Sequence, residues 1–294
     1  MKSTGSLSFD EFKASKHSKT PHYLVVGQPI GHSLSPLMHN LSLQHYSIDA
    51  EYTAVELYPG SITDFISWIN DKNFLGCNIT IPWKRELINV PDRLSPEVRA
   101  VGAMNTLSKL DDGHIIRGDN TDIVGFKEPL YEYDGILERG RAIIFGTGGA
   151  SLSVQYALME MDYEEFILVS RTPQNAKPLG KSIFTRVVDY HQWQSFAEEA
   201  ELIVNTTPLG MGEKKNFSPV NSADLDLLEG KICYDLIYNP LKTKFLTQAE
   251  SAGAETISGL DMLIYQGSRS FEIWTGHSFP IEKVKHELLN YFSV

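Results

Sequence analysis

The segment Gly146-Thr147-Gly148-Gly149-Ala150-Ser151 sets small residues in the spacing G-x-G-x-x-S, directly after the apolar run Ala142-Ile143-Ile144-Phe145. That spacing suits the binding of a dinucleotide pyrophosphate. The first glycine permits a tight turn, the second lets the backbone approach the phosphates, and the small third residue lets the following helix pack on the strand. The start of that helix offers unpaired N–H groups and a partial positive charge to an anion. A glycine turn alone is a weak signal, and a glycine-rich loop with only a packing role is the competing reading. Here the turn lies between a predicted strand and a predicted helix, the context that gives it meaning.

The end of the next strand separates two cofactors. Phe166-Ile167-Leu168-Val169 is followed by Ser170-Arg171-Thr172. An NAD site usually has Asp or Glu there, bonded to the ribose 2′-hydroxyl. With no carboxylate to repel it, a 2′-phosphate can pair with Arg171, whose guanidinium can also lie against adenine. The flanking hydroxyls can donate as well. NADP is the expected cofactor, against the reading of Arg171 as an ordinary surface arginine.

Composition narrows the setting. With 294 residues the chain is long enough for two domains. A chain of this size buries roughly 75% of its unfolded surface, so it needs no disulfide or metal to hold a core. The formal net charge of −11 excludes a nucleic-acid backbone as an expected partner. Any anionic ligand must therefore be held by local donors, not by the overall field. Cys77 and Cys233 each sit inside an apolar run and read as reduced, buried thiols, which fits a cytoplasmic protein. No apolar run approaches the roughly 18 residues of a membrane span. Residues 1–20 lack the apolar stretch of a signal peptide and read as a flexible arm, which Phe9 and Phe12 could dock.

The elements that must carry these residues alternate. A strand over Tyr23-Leu24-Val25-Val26 ends at Gly27, and Gly31-His32-Ser33-Leu34-Ser35-Pro36 follows, with Ser35 as the expected N-cap and Pro36 in the first helical turn. Leu37, Met38, Leu41 and Leu43 mark a helix, Glu51 to Leu57 a strand, Ile62, Phe65, Ile66 and Ile69 another helix, and Leu75 to Ile81 a strand that stops at Pro82. Asp111-Asp112-Gly113 reads as a hairpin turn. After a helix through Ile123 and Phe126, a fresh βαβ pattern starts at Arg141, with helix Ser151 to Met161 and later strands at Arg186–Val188, Leu202–Val204 and Ile232–Leu236. The chain is mostly helical from Gly259 onward. Strands separated by helices imply an α/β fold.

Six segments then carry a family likeness. They are Gly31-His32-Ser33-Leu34-Ser35-Pro36, Asn78-Ile79-Thr80-Ile81-Pro82-Trp83-Lys84, Gly102-Ala103-Met104-Asn105-Thr106, Gly118-Asp119-Asn120-Thr121-Asp122, Tyr234-Asp235-Leu236-Ile237-Tyr238-Asn239-Pro240 and Gly259-Leu260-Asp261-Met262-Leu263-Ile264-Tyr265-Gln266. In this order, around a dinucleotide turn, the set resembles the shikimate dehydrogenase family from about Tyr23 to the C-terminal helices. The resemblance implies NADP-linked interconversion of shikimate and 3-dehydroshikimate, a step of aromatic amino-acid biosynthesis. It implies an N-terminal α/β substrate domain with a mainly parallel sheet (residues 21–122 and 259–294) and a Rossmann-type, doubly wound NADP domain (123–258). The C-terminal helices return to the substrate domain.

The family's paired serines for the substrate carboxylate fall on Ser33 and Ser35. Its catalytic lysine falls on Lys84 and the partner aspartate on Asp122. Its ring-hydroxyl contacts fall on Thr80, Asn105 and Gln266, with Tyr238 nearby. Its cofactor contacts fall on Gly146, Thr147, Gly148, Gly149 and Ala150, on Ser170, Arg171 and Thr172, and on the backbone of Leu236 and Gly259. The chemistry agrees with each placement. A carboxylate at a helix start meets free N–H groups and serine donors, although Ser33 and Ser35 could equally be plain caps. A polyhydroxylated ring needs several neutral donors and acceptors. A protonated lysine can supply the proton that hydride reduction of a ketone requires, and a carboxylate beside it favours the ammonium form. On their own, Lys84 reads as a solvated lysine and Asp122, with Thr121, as a helix cap.

Some positions depart from the family's commonest pattern. Thr147 stands where Ala is usual and Ser170 where Asn is usual. A second basic residue of the 2′-phosphate loop is missing at Asn175, with Lys177 as a possible substitute. That leaves room for NAD, and for quinate as a substrate in place of shikimate or beside it. A reading from another class is a non-catalytic NADP-binding sensor, which need not keep both Lys84 and Asp122. No metal is expected: His39 and His45 are wrongly spaced for one helix face, and His286-Glu287 lacks a second histidine. The partner expected is a small molecule, with no nucleic acid or membrane, in a monomer or homodimer.

Overall fold

A computed structural model describes residues 5–110, 113–180 and 184–293. Asp111 and Asp112 of the expected hairpin turn lie outside the described residues. The chain forms two compact units, one of Met1–Thr121 with Gln266–Val294 and the other of Asp122–Tyr265. The first break falls one residue before the expected boundary and the second seven residues after it. Among the described residues no helix is long and apolar enough to cross a membrane.

The first unit opens with β1 (Leu7–Ser8) and α1 (Phe9–Ala14), followed by a 3-10 turn over His17–Lys19. This corrects the expectation of a flexible arm at residues 1–20, for the described part from residue 5 onward. Ser8 and Glu11 form a reciprocal capping box: Ser8 N donates to the Glu11 carboxylate at 2.8 Å and Glu11 N donates to Ser8 Oγ at 3.3 Å. Phe9 and Phe12 are fully buried, and their rings meet Phe65 and Trp68 at 5.7 and 4.9 Å between centroids. Burying each such ring contributes roughly 2 kcal/mol, which holds a helix of under two turns in place.

There follow β2 (His22–Gly27), α2 (Ser35–His45), β3 (Glu51–Glu56), α3 (Ile62–Trp68), β4 (Phe74–Ile79), α4 (Trp83–Glu86), β5 (Arg93–Leu94), α5 (Pro96–Val101), β6 (Thr106–Leu110) and β7 (Ile115–Asp119). The sheet order is β1-β3-β2-β4-β6-β7-β5. Only β6 runs against its neighbours, so the sheet is mainly parallel, as expected. Its core gathers Leu24, Val26, Val55, Phe74, Ile79, Met104 and Leu107. Two local expectations are corrected. Ser35 is inside α2 and does not cap it; Ser35 N instead donates to Ser33 Oγ at 3.2 Å. β4 ends at Ile79, two residues early, where Thr80 N turns to Val26 O and Trp83 N closes a turn on Thr80 O, both at 2.9 Å.

The second unit runs through α6 (Asp122–Leu130), β8 (Arg141–Phe145), α7 (Gly149–Glu160), β9 (Glu165–Val169), β10 (Phe184–Val188), β11 (Ala200–Asn205), β12 (Ile232–Asp235), α8 (Lys244–Ser251) and β13 (Glu255–Ile257). The sheet is parallel throughout, in the order β10-β9-β8-β11-β12-β13. Counted from β8, that is the doubly wound order 3-2-1-4-5-6, whose direction reverses between β8 and β11. The four central strands β8, β9, β11 and β12 are nearly continuous buried runs, as in parallel sheets covered on both faces.

The last helices are α9 (Gly259–Thr275) and α10 (Ile281–Phe292). The part of α9 beyond Tyr265 belongs with the first unit. There Trp274 Nε1 donates to Leu107 O at 2.9 Å, and its ring lies 4.9 Å from that of Tyr23. α10 packs against α2.

Candidate functional site

The second unit carries a cavity of about 530 Å³ at the point where its strand order reverses. Crevices of this size beyond the carboxyl ends of parallel strands are where nucleotides bind in such sheets. Gly146, Thr147 and Gly148 form one wall, and Ser170, Arg171 and Thr172 another. Gly146 has φ +105°, and a Cβ there would stand 2.5 Å from Thr206 Oγ1, so this turn requires glycine. α7 then starts at Gly149 with no side-chain cap and no acidic residue in its first turn, which leaves its N–H groups to an anion. Ser151, in the third small position, is fully buried. Among the described lining residues there is no carboxylate, while Arg171 and Lys214 both contribute charge. In an acidic chain, a cavity lined in this way fits an anionic dinucleotide.

Ser170 ties this wall together. Thr172 N donates to its hydroxyl at 3.2 Å, and Thr147 Oγ1 lies 3.4 Å from it. The serine that replaces the family's usual Asn thus links the end of β9 to the glycine turn.

Behind the cavity, Asn205 and Asp235 shape the loops after β11 and β12. Asn205 Nδ2 donates to Asp235 Oδ1 at 3.1 Å and to Leu209 O at 3.0 Å, while its Oδ1 accepts from Thr207 N and Thr207 Oγ1. Asp235 also accepts from Thr243 Oγ1 at 2.6 Å and Ile237 N at 3.1 Å. Burial pushes its carboxyl up to about 6, and these three donors oppose the rise. Leu236 and Gly259, both expected at the cofactor, come together here. Gly259 N donates to Ile237 O at 3.2 Å, and a Cβ at 259 would meet Leu236 O at 2.2 Å. Tyr238 follows on the same loop, half-buried.

The first unit holds Ser33, Ser35, Thr80, Lys84, Asn105 and Gln266. Ser33 and Thr80 follow the carboxyl ends of the adjacent parallel strands β2 and β4. Ser35 is buried at the start of α2, and the Tyr52 hydroxyl donates to Asn78 Oδ1 at 2.7 Å. Asn78 Nδ2 is shared among Asn105 O, Thr106 Oγ1 and Ser270 Oγ at 2.9–3.3 Å. Asn105 Oδ1 accepts from Thr121 N at 2.7 Å, and Ser270 Oγ donates to Gln266 O at 3.1 Å. Asn105 and Gln266 are therefore joined by one buried hydrogen-bond network. Lys84, in α4, is partly buried, and its carbonyl accepts from Met104 N at 2.8 Å, which sets α4 beside the Asn105 segment. Asp122 is buried at the start of α6, next in the chain after Thr121.

Known proteins with this arrangement are numerous. Residues 25–107 match the shikimate dehydrogenase substrate binding domain, and residues 259–289 match the shikimate 5′-dehydrogenase C-terminal domain. Over 280 residues the chain is 37% identical to the shikimate dehydrogenase (NADP(+)) of Syntrophomonas wolfei, covering 92% of this chain and 95% of that protein. The chain belongs to the shikimate dehydrogenase family. The solved shikimate 5-dehydrogenase of Thermus thermophilus, in complex with NADP(H) and shikimate, is 33% identical with a TM-score of 0.80, covering 92% of this chain and 98% of that one. The quinate dehydrogenase of Corynebacterium glutamicum in complex with NAD shares the fold, with a TM-score of 0.80 at 22% identity over 92% of this chain and 99% of that one.

The family's substrate-domain match spans Ser33, Ser35, Thr80, Lys84 and Asn105, and its C-terminal match spans Gly259 and Gln266. The glycine turn, Arg171, Asp122, Leu236 and Tyr238 lie between the two. Sequence reasoning missed several lining residues of the cavity, chiefly Tyr190, His191, Thr206, Thr207 and Lys214. It looked to Lys177 for a second cation, yet Lys214 is the one that lines the cavity. The pair Thr206-Thr207, directly after an apolar strand and before Pro208, was the legible signal for the loop beyond β11.

Proposed function

We propose that this chain is an NADP-dependent shikimate dehydrogenase that reversibly reduces 3-dehydroshikimate to shikimate. The observation that carries the cofactor reading is the carboxylate-free cavity with Arg171 and Lys214 on its walls, beside the uncapped start of α7. The glycine turn and the helix start would hold the pyrophosphate, Arg171 with Ser170 and Thr172 the 2′-phosphate, and the backbone of Leu236 and Gly259 the nicotinamide half. Bound NADPH supplies the hydride.

The chain's own residues do the rest. Ser33 and Ser35 donate to the substrate carboxylate. Thr80, Asn105 and Gln266, with Tyr238, match the ring hydroxyls, and the buried network behind Asn105 fixes its amide. An unmatched hydroxyl would leave these groups unpaired, which is how such a site discriminates. Lys84 delivers a proton to the ketone oxygen as the hydride arrives, so the carbonyl becomes a hydroxyl and the ammonium an amine. Asp122 positions that ammonium. In the oxidative direction Lys84 takes the hydroxyl proton as the hydride leaves, so each turnover releases one proton and the equilibrium moves towards the ketone as pH rises.

The test is absorbance at the reduced-nicotinamide band with shikimate or quinate, each with NADP or NAD. Shikimate with NADP should give the highest kcat/KM. A preference for quinate or NAD would overturn the substrate or cofactor assignment, and no turnover in any pairing would leave a binding protein without catalysis.

A further inference from the structure

We propose that His17, His22 and Glu51 form a binding site for a divalent transition-metal cation of the zinc class, at the amino-terminal end of the first unit's sheet. One donor atom from each residue lies within 4.8 Å of the others. Three separate elements supply them. His22 is the first residue of β2, Glu51 is the first residue of β3 and its register partner, and His17 opens the 3-10 turn after α1. Two imidazoles and a carboxylate are a donor set that zinc accepts, with water in the fourth position.

An ordinary ion pair explains only part of this cluster. His17 Nδ1 and Glu51 Oε2 are 2.9 Å apart, as a surface pair would be. His22 is different. It is fully buried, and its Nε2 is bonded to Thr53 Oγ1 at 2.8 Å, while its Nδ1 has no hydrogen-bond partner. An imidazole with one nitrogen held by a neighbour and the other bare is the disposition of a metal-ligating histidine.

The cluster is open to an ion. The side chains of His17 and Glu51 are 29% and 50% exposed, so they can make the shift of up to about 1.5 Å that brings donors to the roughly 3.3 Å separation of a tetrahedral site. A bound ion would replace the His17–Glu51 contact with two metal bonds and satisfy His22 Nδ1. It would staple the segment holding β1 and α1 to the starts of β2 and β3. Ser33 and Thr80 follow the other ends of the strands, roughly 20 Å away along a strand of six residues. The ion therefore takes no part in the proposed hydride transfer and stands apart from the catalytic expectation of no metal.

The experiment uses the full chain, stripped with a chelator and dialysed, then titrated with Zn²⁺ by calorimetry, with thermal unfolding in parallel. Wild type should bind one equivalent, and its Tm should rise. His17→Ala and Glu51→Gln change a half-buried and an exposed residue outside the core, so both should fold, as far-ultraviolet circular dichroism will check. Each should bind zinc at least roughly tenfold more weakly and lose most of the Tm rise. Trypsin cleavage after the exposed Lys16 and Lys19 should slow with zinc in wild type alone. No stoichiometric binding by wild type, or equal binding by both variants, would overturn the site.

Discussion

The two units present their polar groups in opposite ways. In the first, side chains face one another through a buried network that runs from Tyr52 by way of Asn78 to Asn105, Thr121 and Ser270. In the second, the cavity wall is a backbone turn and a helix start, with Arg171 and Lys214 on exposed side chains. The difference matches two recognition problems. Ring hydroxyls are matched by side chains that cannot rotate, whereas a phosphate is satisfied by any convergent set of N–H groups and cations. A polar substitution in the first unit should therefore damage stability and catalysis together. One in the second unit's cavity should alter cofactor affinity alone.

The largest expected effect tests the chemical pair. Lys84→Ala or Asp122→Asn should lower kcat by roughly 10²-fold or more, the scale for a positioned acid–base group. Near-wild-type turnover in either variant would remove the assignment. Next, Asn78→Ala removes the acceptor of Tyr52 Oη and the amide that bridges Asn105 O, Thr106 Oγ1 and Ser270 Oγ. It should cost about 3 kcal/mol in urea unfolding and also depress kcat. A stability loss without a kinetic loss would break the proposed link between network and site.

The third prediction separates the units by pH. His39 lies among the rings of Tyr52, Phe271, Trp274 and Phe279, with neither ring nitrogen partnered, and burial pushes its pKa down to about 3. The unfolded chain binds that proton near its ordinary value of 6.5, so stability is complete above 6.5 and falls as pH drops towards 3. Asp235 has the opposite sign. Raised to about 6 from 3.8, it contributes fully below 3.8, and the contribution is lost as pH rises through 6. Between pH 7 and pH 5 His39 should cost about 2 kcal/mol and Asp235 return about 1. Urea midpoints for His39→Leu should show the loss removed, and an unchanged pH slope would refute it. The smallest effect is Arg171→Ala, expected to raise KM for NADP roughly tenfold, with little change for NAD and none in Tm.

The sequence made the architecture legible wherever elements are long and apolar. The run Ala142–Phe145 and the glycine turn fixed the start of the second sheet, and Phe166–Val169 its neighbour. What escaped notice was short or depended on partners distant in sequence. α1 has six residues and only Phe9 and Phe12 as apolar anchors, so its stability comes from Phe65 and Trp68 more than fifty residues away. β13 has three residues, two of them polar, and is a strand because β12 offers it an edge. Ser35 looked like a cap by type and position, yet it lies inside α2 and its backbone N–H donates to Ser33 Oγ. Lys214 sits in a polar loop where nothing marks it off from Lys215, and only the path of the chain brings it to the cavity. The candidate residues themselves were named from short segments in family order, because side-chain chemistry repeats where local periodicity carries no signal.

The carboxylate-free cavity has a kinetic meaning as well. A molecule of net charge −11 repels an anionic nucleotide at long range, while the two cations on its cavity walls attract it at short range. At physiological ionic strength the Debye length is about 8 Å, so the distant repulsion is screened and the local attraction survives. Capture of the nucleotide should then pass through an optimum in salt concentration, in contrast to the steady decline expected where a protein's whole field steers its ligand.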